Sequence, residues 1–218
     1  PGALYSLIQW QKLRHYEAAV CRRAHHVLAV SQTDAQALQA LVPGLQVTVI
    51  PNGIDTDSYP PLDTDGGQPR GIDQPPTLIF IGKMDFRPNV DAVRWFTEAI
   101  WPRIQAQVPE ARFLAVGQRP HPQLDHLRAA PSVTLTGWVE QVDPYIRAAT
   151  LYVAPLRMGS GTRLKLLEAM ALSKAIVSTR IGAEGLTDSD LIANDRELRL
   201  VEDDDPDGFA DAVIDLLH

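Results

Sequence analysis

The stretch Leu151–Leu172 reads LYVAPLRMGSGTRLKLLEAMAL and combines three kinds of segment. It begins with a continuous apolar run, Leu151–Pro155, which is typical of a strand buried on both faces of a sheet. A loop with two glycines follows, and this loop leads into a helix that we predict over Thr162–Leu172. A strand, a glycine loop and a helix in this order predict one unit of a parallel α/β sheet.

The same alternation continues on both sides of this stretch. Apolar runs predict strands at 77–82, 113–117, 133–137, 175–179 and 198–201, and helical spacing predicts helices at 89–107, 124–129, 142–149 and 207–217. Because alternating strands and helices form parallel sheets, we predict an α/β domain with helices on both faces of its sheet over residues 77–218.

The first fifty residues form a separate helix–strand–helix–strand segment. The predicted elements are a helix at 5–26, a strand at 27–30, a helix at 34–41 capped by Ser31, and a strand at 47–50. Pro51-Asn52-Gly53 ends the last strand with turn chemistry, and a loop rich in proline and glycine follows. We therefore divide the chain into residues 1–50, a hinge and linker loop at 51–76, and a domain at 77–218.

Composition excludes several classes of protein. The 218 residues are 45% hydrophobic and carry a net charge of −7, which argues against a nucleic-acid-binding protein because phosphate contacts need a basic surface. Apolar runs are too short for a transmembrane helix. The single cysteine, Cys21, fits a reducing compartment, so we expect a cytoplasmic protein. The first residues include neither a methionine nor a signal peptide, and we expect a piece of a longer chain.

Several catalytic chemistries lack their sequence patterns. The histidines have no metal-site spacing with cysteine or glutamate, so we expect no metal and no cofactor. There is no Gly-x-Ser-x-Gly nucleophile motif and no phosphate loop that ends in Gly-Lys-Ser or Gly-Lys-Thr. Gly159-Ser160-Gly161 lacks the third glycine of a dinucleotide fingerprint.

The glycine loop at Gly159–Thr162 has the chemistry of a phosphate site. Glycines allow backbone N–H groups to approach a ligand, and a helix start adds free N–H donors with a partial positive charge. Arg163 and Lys165 add full positive charges, while Glu168 could accept hydrogen bonds from two vicinal hydroxyls, such as those of a ribose. An ordinary helix cap with a surface arginine and lysine is the alternative.

Two further segments place polar residues after strands. Gly82 ends a predicted strand, and Lys83 and Arg87 could donate to phosphate oxygens, with Asn89 as a helix cap; a purely structural role is equally compatible.

Gly137-Trp138-Val139 could hold a nucleobase against the main chain, with Trp138 as its shield, and Gly117 could line the same cleft. A core tryptophan near a turn is the alternative.

Together these segments resemble the group 1 family of retaining glycosyltransferases with the two-lobed GT-B architecture. The markers occur in the family's order, and the most specific are Pro51-Asn52-Gly53-Ile54-Asp55 and Leu167-Glu168-Ala169-Met170-Ala171. The resemblance implies a Rossmann-like C-terminal lobe that binds a nucleotide-sugar donor. Residues 1–50 would be a remnant of the acceptor-binding lobe, and Pro51-Asn52-Gly53 would be the hinge.

The resemblance also implies roles for individual residues. Glu168 matches the second Glu of the family's Glu–seven residues–Glu pattern, which holds the ribose, whereas Ser160 stands where the first Glu usually touches the sugar. Lys83 aligns with the family's phosphate-binding arginine. Pro88 replaces its lysine, whose function Arg87 or Lys165 would take over. The residues expected at the donor nucleotide-sugar are Gly82, Gly117, Trp138, Val139, Gly159, Gly161, Thr162, Arg163 and Glu168.

The implied reaction is metal-independent transfer of a sugar with retention of configuration. Lys83, Arg87, Ser160 and Lys165 are the expected catalytic residues. The implied partners are a nucleotide-sugar donor and a glycan or lipid-linked acceptor, with peripheral membrane association of the full-length protein and no nucleic acid. The isolated chain is expected to have little activity. A catalytically inactive nucleotide-binding module and a nucleotide-sugar epimerase are the alternatives, and the Ser160 replacement permits the first.

Overall fold

The computed structural model describes residues 2–60, 74–159, 161–186 and 198–218. The chain divides into two compact units, Pro1–Asn52 and Gly53–His218. Residues 61–73 of the predicted hinge and linker loop at 51–76 lie outside the described residues, as does the predicted catalytic Ser160.

The first unit contains a parallel pair of short strands and two helices. Its elements are α1 (Gly2–Arg23), β1 (Val27–Ala29), α2 (Gln32–Leu41) and β2 (Val47–Val49). Ser31 caps α2 as predicted, since its Oγ accepts a hydrogen bond from the Asp34 N–H at 3.0 Å. The sequence prediction of this segment is therefore confirmed, with small shifts at the helix ends.

The second unit is built on a parallel sheet, as predicted. Its described strands are β3 (Thr77–Ile81), β4 (Arg112–Val116), β5 (Val133–Leu135), β6 (Leu151–Ala154), β7 (Ala175–Thr179) and β8 (Arg199–Val201). Its described α-helices are α3 (Arg87–Trp95), α4 (Trp101–Gln107), α5 (Asp143–Ala148), α6 (Leu164–Ala171) and α7 (Pro206–Leu217). The strand order is β5-β4-β3-β6-β7-β8, which is a Rossmann-like α/β arrangement.

The helices cover both faces of this sheet. Leu78 and Phe80 of β3 belong to a core with α3, α4 and α7, whereas Ile79 belongs to a second core with α5 and α6. At the centre of the first core, the rings of Phe96 and Phe113 lie 4.5 Å apart. Because successive side chains of a strand point to opposite faces, continuous apolar strands fill both cores.

The helix predicted at 89–107 is present, but it contains a turn that the sequence analysis did not predict. A π-helical turn at Phe96–Ile100 separates α3 from α4. Pro102 lies in the first turn of α4, has no N–H to donate, and would clash with a carbonyl one turn earlier in an unbroken α-helix. The wider turn removes this conflict.

The predicted helix at 124–129 is instead a 3₁₀ helix at Pro122–Ala129. Its start is capped by His121, whose Nδ1 accepts the Gln123 N–H at 3.2 Å. Within the described residues, no helix is both long enough and apolar enough to cross a lipid bilayer.

Two glycines bring the ends of β3 and β4 unusually close together. The Gly82 N–H donates to the Val116 carbonyl at 3.0 Å, and a Cβ added to Gly117 would lie 1.7 Å from the Gly82 carbonyl oxygen. Gly117 has a φ of +155°, which side chains rarely adopt. This position therefore requires glycine.

We expect Gly117→Ala to lower the free energy of unfolding by about 1–3 kcal/mol, because the added methyl group meets backbone rather than a flexible side chain. Equilibrium denaturation followed by tryptophan fluorescence measures the change. Gly53→Ala is the matched control, since no heavy atom lies within 4 Å of its added Cβ, and it should stay within about 0.5 kcal/mol of the unchanged chain. Equal effects of the two substitutions would contradict the close approach.

Candidate nucleotide-binding site

The candidate site lies at the carboxyl edge of the six-stranded sheet. β3 and β6 are neighbours, but the chain continues from β3 toward β4 on one side and from β6 toward β7 on the other. The loops that follow β3 and β6 therefore diverge and leave a crevice between them. Lys83 lies in the first loop, and the loop at Gly159–Arg163 lies in the second.

The β6 loop is anchored to the end of β7 by a buried threonine. The hydroxyl of Thr179 donates to the Leu156 carbonyl and accepts the Gly182 N–H at 2.9 Å. Ser178 is buried beside it and donates to the Thr179 carbonyl at 2.9 Å. The sequence analysis missed both residues, although two hydroxyl residues at the end of a buried strand were a usable signal.

The glycines of the β6 loop have positive φ angles, which residues with side chains rarely adopt. Gly159 has a φ of +114° and Gly161 a φ of +88°. A Cβ on Gly161 would meet no heavy atom within 4 Å, so its surface is open among the described residues. The structure thus has accessible backbone next to the start of α6, as the sequence predicted.

The helix after this loop begins at Leu164, two residues later than the predicted start at Thr162. Its N-cap residue is Arg163, whose side chain makes no capping hydrogen bond. The first N–H groups of α6 therefore keep their capacity to bind an anion.

Arg163 and Thr162 lie deeper than a surface helix cap would place them. Arg163 is half-buried, and this burial lowers the pKa of its guanidinium, which the charge of Glu184 partly opposes. The Thr162 Oγ1 is buried without a hydrogen-bond partner among the described residues, and a Cβ on Gly185 would lie 2.6 Å from it. The alternative of a purely surface arginine is wrong.

Glu168 and Lys165 form an ion pair one turn into α6. The Lys165 Nζ lies 2.8 Å and 2.7 Å from the two carboxylate oxygens. The Glu168 side chain is 14% exposed and that of Lys165 is 42% exposed. Because each carboxylate oxygen has two lone pairs, Glu168 can still accept hydrogen bonds from a ligand.

Two tyrosines show where the Glu168 charge acts. Burial chiefly raises the pKa of Tyr59, and the negative charge of Glu168 raises it further. The buried Tyr152 of β6 also has a raised pKa, chiefly through burial, with a smaller contribution from Glu168. The carboxylate therefore acts electrostatically on the side of the sheet that carries α5 and α6.

The β3 loop carries an exposed lysine, and an aspartate in the same loop lies close to two positive charges. Lys83 is exposed, with its Nζ 3.5 Å from Asp85, and Asp85 also lies 3.6 Å from Arg119. Asn89 does not cap α3 as predicted, because this helix begins two residues earlier at Arg87. Its side-chain amide instead donates to the Lys83 carbonyl at 3.0 Å and closes over Gly82.

Arg87 lines a small polar pocket. The pocket has a volume of about 350 Å³, and its lining residues are Asp85, Arg87, Val90, Asp91, Arg94, His121, Gln123 and Met158. Met158 belongs to the β6 loop, so the pocket adjoins the crevice.

The segment after β5 leaves Trp138 available to a ligand. Gly137 pairs with Gly117 in an isolated bridge and has a φ of +73°. Trp138 is 71% exposed, which excludes the alternative of a core tryptophan. Val139 packs partly buried against the core on the α5–α6 face. Among the described residues, no group of three acidic, histidine or cysteine side chains could hold a metal ion.

Comparison with known families identifies the chain. The family model described as "Glycosyl transferases group 1" matches residues 75–218, and that described as "Glycosyltransferase Family 4" matches residues 3–58. The chain belongs to the group 1 glycosyltransferases. The described fold and the order of the sequence markers agree with this membership.

Curated relatives of this family member include phosphatidyl-myo-inositol mannosyltransferases. That of Mycolicibacterium smegmatis is 30% identical over 211 residues, which cover 94% of this chain and 50% of the relative. That of Mycobacterium tuberculosis strain H37Rv is 32% identical over 185 residues, covering 79% of this chain and 44% of the relative. The chain thus spans about half the length of these relatives.

Solved structures of GT-B enzymes share the fold. TarM has a TM-score of 0.72 at 13% identity, covering 95% of this chain and 39% of TarM. Sucrose-phosphate synthase from Thermosynechococcus elongatus has a TM-score of 0.70 at 21% identity, covering 95% of this chain and 52% of the synthase. Anabaena HepE, solved with UDP-glucose, has a TM-score of 0.68 at 17% identity, covering 94% of this chain and 57% of HepE.

The anchor at Thr179 leads to a prediction about stability. Thr179→Val keeps the side-chain shape but leaves the Leu156 carbonyl and the Gly182 N–H without their buried partner. We expect the free energy of unfolding to fall by about 1–3 kcal/mol. Thr134→Val is the matched control, because Thr134 is an exposed residue of β5, and it should change stability by less than about 0.5 kcal/mol. Chemical denaturation measures both, and equal stabilities would exclude the anchor.

Proposed function

We propose that the unit Gly53–His218 binds a nucleotide-sugar donor and that the full protein transfers its sugar to an acceptor. The observation that carries this proposal is that two loops with suitable chemistry border one crevice. The open, glycine-containing start of α6 follows β6, and the cationic Lys83 loop follows the neighbouring β3. Membership in the group 1 glycosyltransferases supports the same function.

The diphosphate of the donor lies, in this proposal, between these loops. Backbone N–H groups of Gly161–Arg163 donate to its oxygens, and Lys83 and Arg163 supply positive charge. Lys165 can donate to the diphosphate as well, but its Nζ is also paired with Glu168 at 2.7 Å. These donors stabilise the negative charge that develops on the leaving diphosphate, so the reaction needs no metal ion.

Glu168 holds the ribose of the donor through its two hydroxyls. The carboxylate is mostly buried and oriented by Lys165, so little conformational entropy is lost when it accepts ligand hydrogen bonds. The base lies near Gly117 and Gly137, with the exposed Trp138 as its cover and Val139 beside it. Ser160 contributes a single hydrogen bond to the sugar.

The finer features of the reaction follow from the family resemblance. We propose retention of configuration, a glycan or lipid-linked acceptor, and a cytoplasmic protein that associates peripherally with membranes. The names of the curated relatives, phosphatidyl-myo-inositol mannosyltransferases, favour a lipid-linked acceptor. Residues 1–50 belong to the acceptor-binding lobe, and the turn at Pro51-Asn52-Gly53 is the hinge, so the chain alone should bind donor but transfer little sugar.

A nucleotide screen tests the donor class. We expect UDP, GDP or ADP, tested one at a time in a thermal-shift assay with EDTA present, to raise the unfolding temperature of the chain. Nucleotide-dependent transfer by the full-length protein, with the product anomer assigned by NMR, then tests the reaction. Binding without transfer or donor hydrolysis by the full-length protein would favour an inactive nucleotide-binding module, and binding that is lost in EDTA would contradict metal independence.

The role of Glu168 is tested with the nucleotide identified in that screen and with its 2′-deoxy form. In the unchanged chain, removal of one ribose hydroxyl should weaken binding about tenfold or more, because a hydrogen bond to a charged group contributes about 1.5–3 kcal/mol. In Glu168→Ala the two ligands should bind with nearly equal and weaker affinity. Isothermal titration calorimetry measures both constants.

Glu110→Ala is the control for this pair of measurements. Glu110 is exposed in the turn before β4, at the opposite edge of the sheet. Its variant should keep the full preference for the ribose form. An undiminished preference in Glu168→Ala would assign the ribose to another residue.

A further inference from the structure

Arg157 connects the β6 loop to two other segments through one guanidinium group. Its Nε and Nη2 donate to the two carboxylate oxygens of Asp91 at 3.1 Å and 2.8 Å, and its Nη1 donates to Asp204 at 3.0 Å. The guanidinium carbon also lies 5.1 Å from the ring centroid of Trp95. The group is therefore held in one plane by two parallel hydrogen bonds, a third hydrogen bond and an aromatic face.

The three segments joined in this way all follow strands at the carboxyl edge of the sheet. Asp91 and Trp95 belong to α3, the helix that follows the Lys83 loop. Asp204 lies in the turn between β8 and α7 and has a φ of +63°, which is uncommon for a residue with a side chain. Arg157 itself lies two residues before Gly159. It thus fixes the β6 loop relative to the loop that carries Lys83.

The positive charge of Arg157 is paired with the carboxylates of Asp91 and Asp204. Its side chain is 30% exposed, and hydrogen bonds to Asp91 and then Asp204 raise its pKa against the opposing effect of burial. Two carboxylates around one guanidinium leave a net negative cluster, which would repel a diphosphate rather than bind it. Arg157 therefore differs from Lys83, whose exposed amine has only a longer contact of 3.5 Å with Asp85.

The residues after Arg157 need such support. Positive φ angles at Gly159 and Gly161 show a loop whose conformation depends on glycine, and glycine offers little intrinsic rigidity. At the start of the loop, the Thr179 hydroxyl holds the carbonyl of Leu156. The next residue, Arg157, is held by its own side chain through the hydrogen bonds to Asp91. The loop is thereby held at its entrance while its glycines remain open to a ligand.

We infer that Arg157 is a positioning residue that sets the separation of the β3 and β6 loops and so determines how well the site binds a diphosphate. This inference rests on the proposed function. It assigns to Arg157 an effect on the diphosphate part of the ligand only. Its partners Asp91, Asp204 and Trp95 belong neither to α6 nor to the segment after β5, which hold the nucleoside in the proposed function.

The experiment compares binding of UDP, GDP or ADP, whichever the chain binds, with binding of the corresponding nucleoside. In Arg157→Gln we expect the diphosphate to bind about tenfold more weakly, since a displacement of about 1 Å is enough to misalign such donors, while the nucleoside affinity stays unchanged. Arg157→Lys should recover little, because an ammonium group cannot form two parallel bonds to Asp91. Asp91→Asn, which keeps the side-chain volume, should show the same selective loss.

Arg103→Gln is the matched control. Arg103 also bridges two aspartates, with contacts of 2.9 Å to Asp207 and 2.6 Å to Asp211, but it joins only α4 to α7. Its variant should bind both ligands normally. Circular dichroism and thermal unfolding of each variant separate a local change from unfolding.

The possible outcomes separate a failure of the inference about Arg157 from a failure of the proposed function. A folded Arg157→Gln or Asp91→Asn variant whose diphosphate affinity stays within twofold of the unchanged chain overturns the inference and leaves the proposed function intact. Equal losses for nucleoside and diphosphate assign Arg157 a general structural role and also overturn it. If the unchanged chain binds none of the nucleotides, the proposed function fails, and the inference fails with it.

Discussion

The arrangement of the site depends on the pairing of β3 with β6 at the centre of the sheet. These strands are far apart in sequence but pair in parallel, with Leu78 opposite Leu151 and Ile79 opposite Tyr152. Since the chain leaves them in opposite directions, their carboxyl ends cannot be covered by one crossover. The crevice between the two loops is thus a consequence of strand order, and it exists before any side chain is considered.

Close backbone packing then gives this crevice its shape. Gly82 and Gly117 let the ends of β3 and β4 approach more closely than side chains allow, and Thr179 ties the β6 loop to β7 through buried hydrogen bonds. Buried polar groups of this kind are costly to leave without partners, so they fix one loop conformation. The charged residues differ accordingly: Lys83 is exposed and Arg163 is half-buried, whereas Arg157 is paired with two aspartates.

Predictions from sequence were right where neighbouring residues determine the structure. They missed features that depend on contacts with other parts of the chain. Apolar runs and helical spacing located the strands and helices, since burial on both faces leaves a clear pattern. The helix at 89–107 is present, but helical spacing did not predict its π turn, which lies just before Pro102 with its missing N–H. Asn89 has the residue type of a cap but bonds to the Lys83 carbonyl, because the helix starts earlier than its pattern suggested.

The sequence alone determined the α/β class, the glycine loop before α6 and the family, because periodicity and short motifs are properties of neighbouring residues. It did not determine that Arg163 is half-buried, that Trp138 is exposed, or that Arg157 meets Asp91 and Asp204. These features arise between residues far apart in the chain, and burial and ion pairing depend on distances that only the folded sheet sets. The tertiary structure therefore decided which charged side chains are exposed and which are paired within the protein.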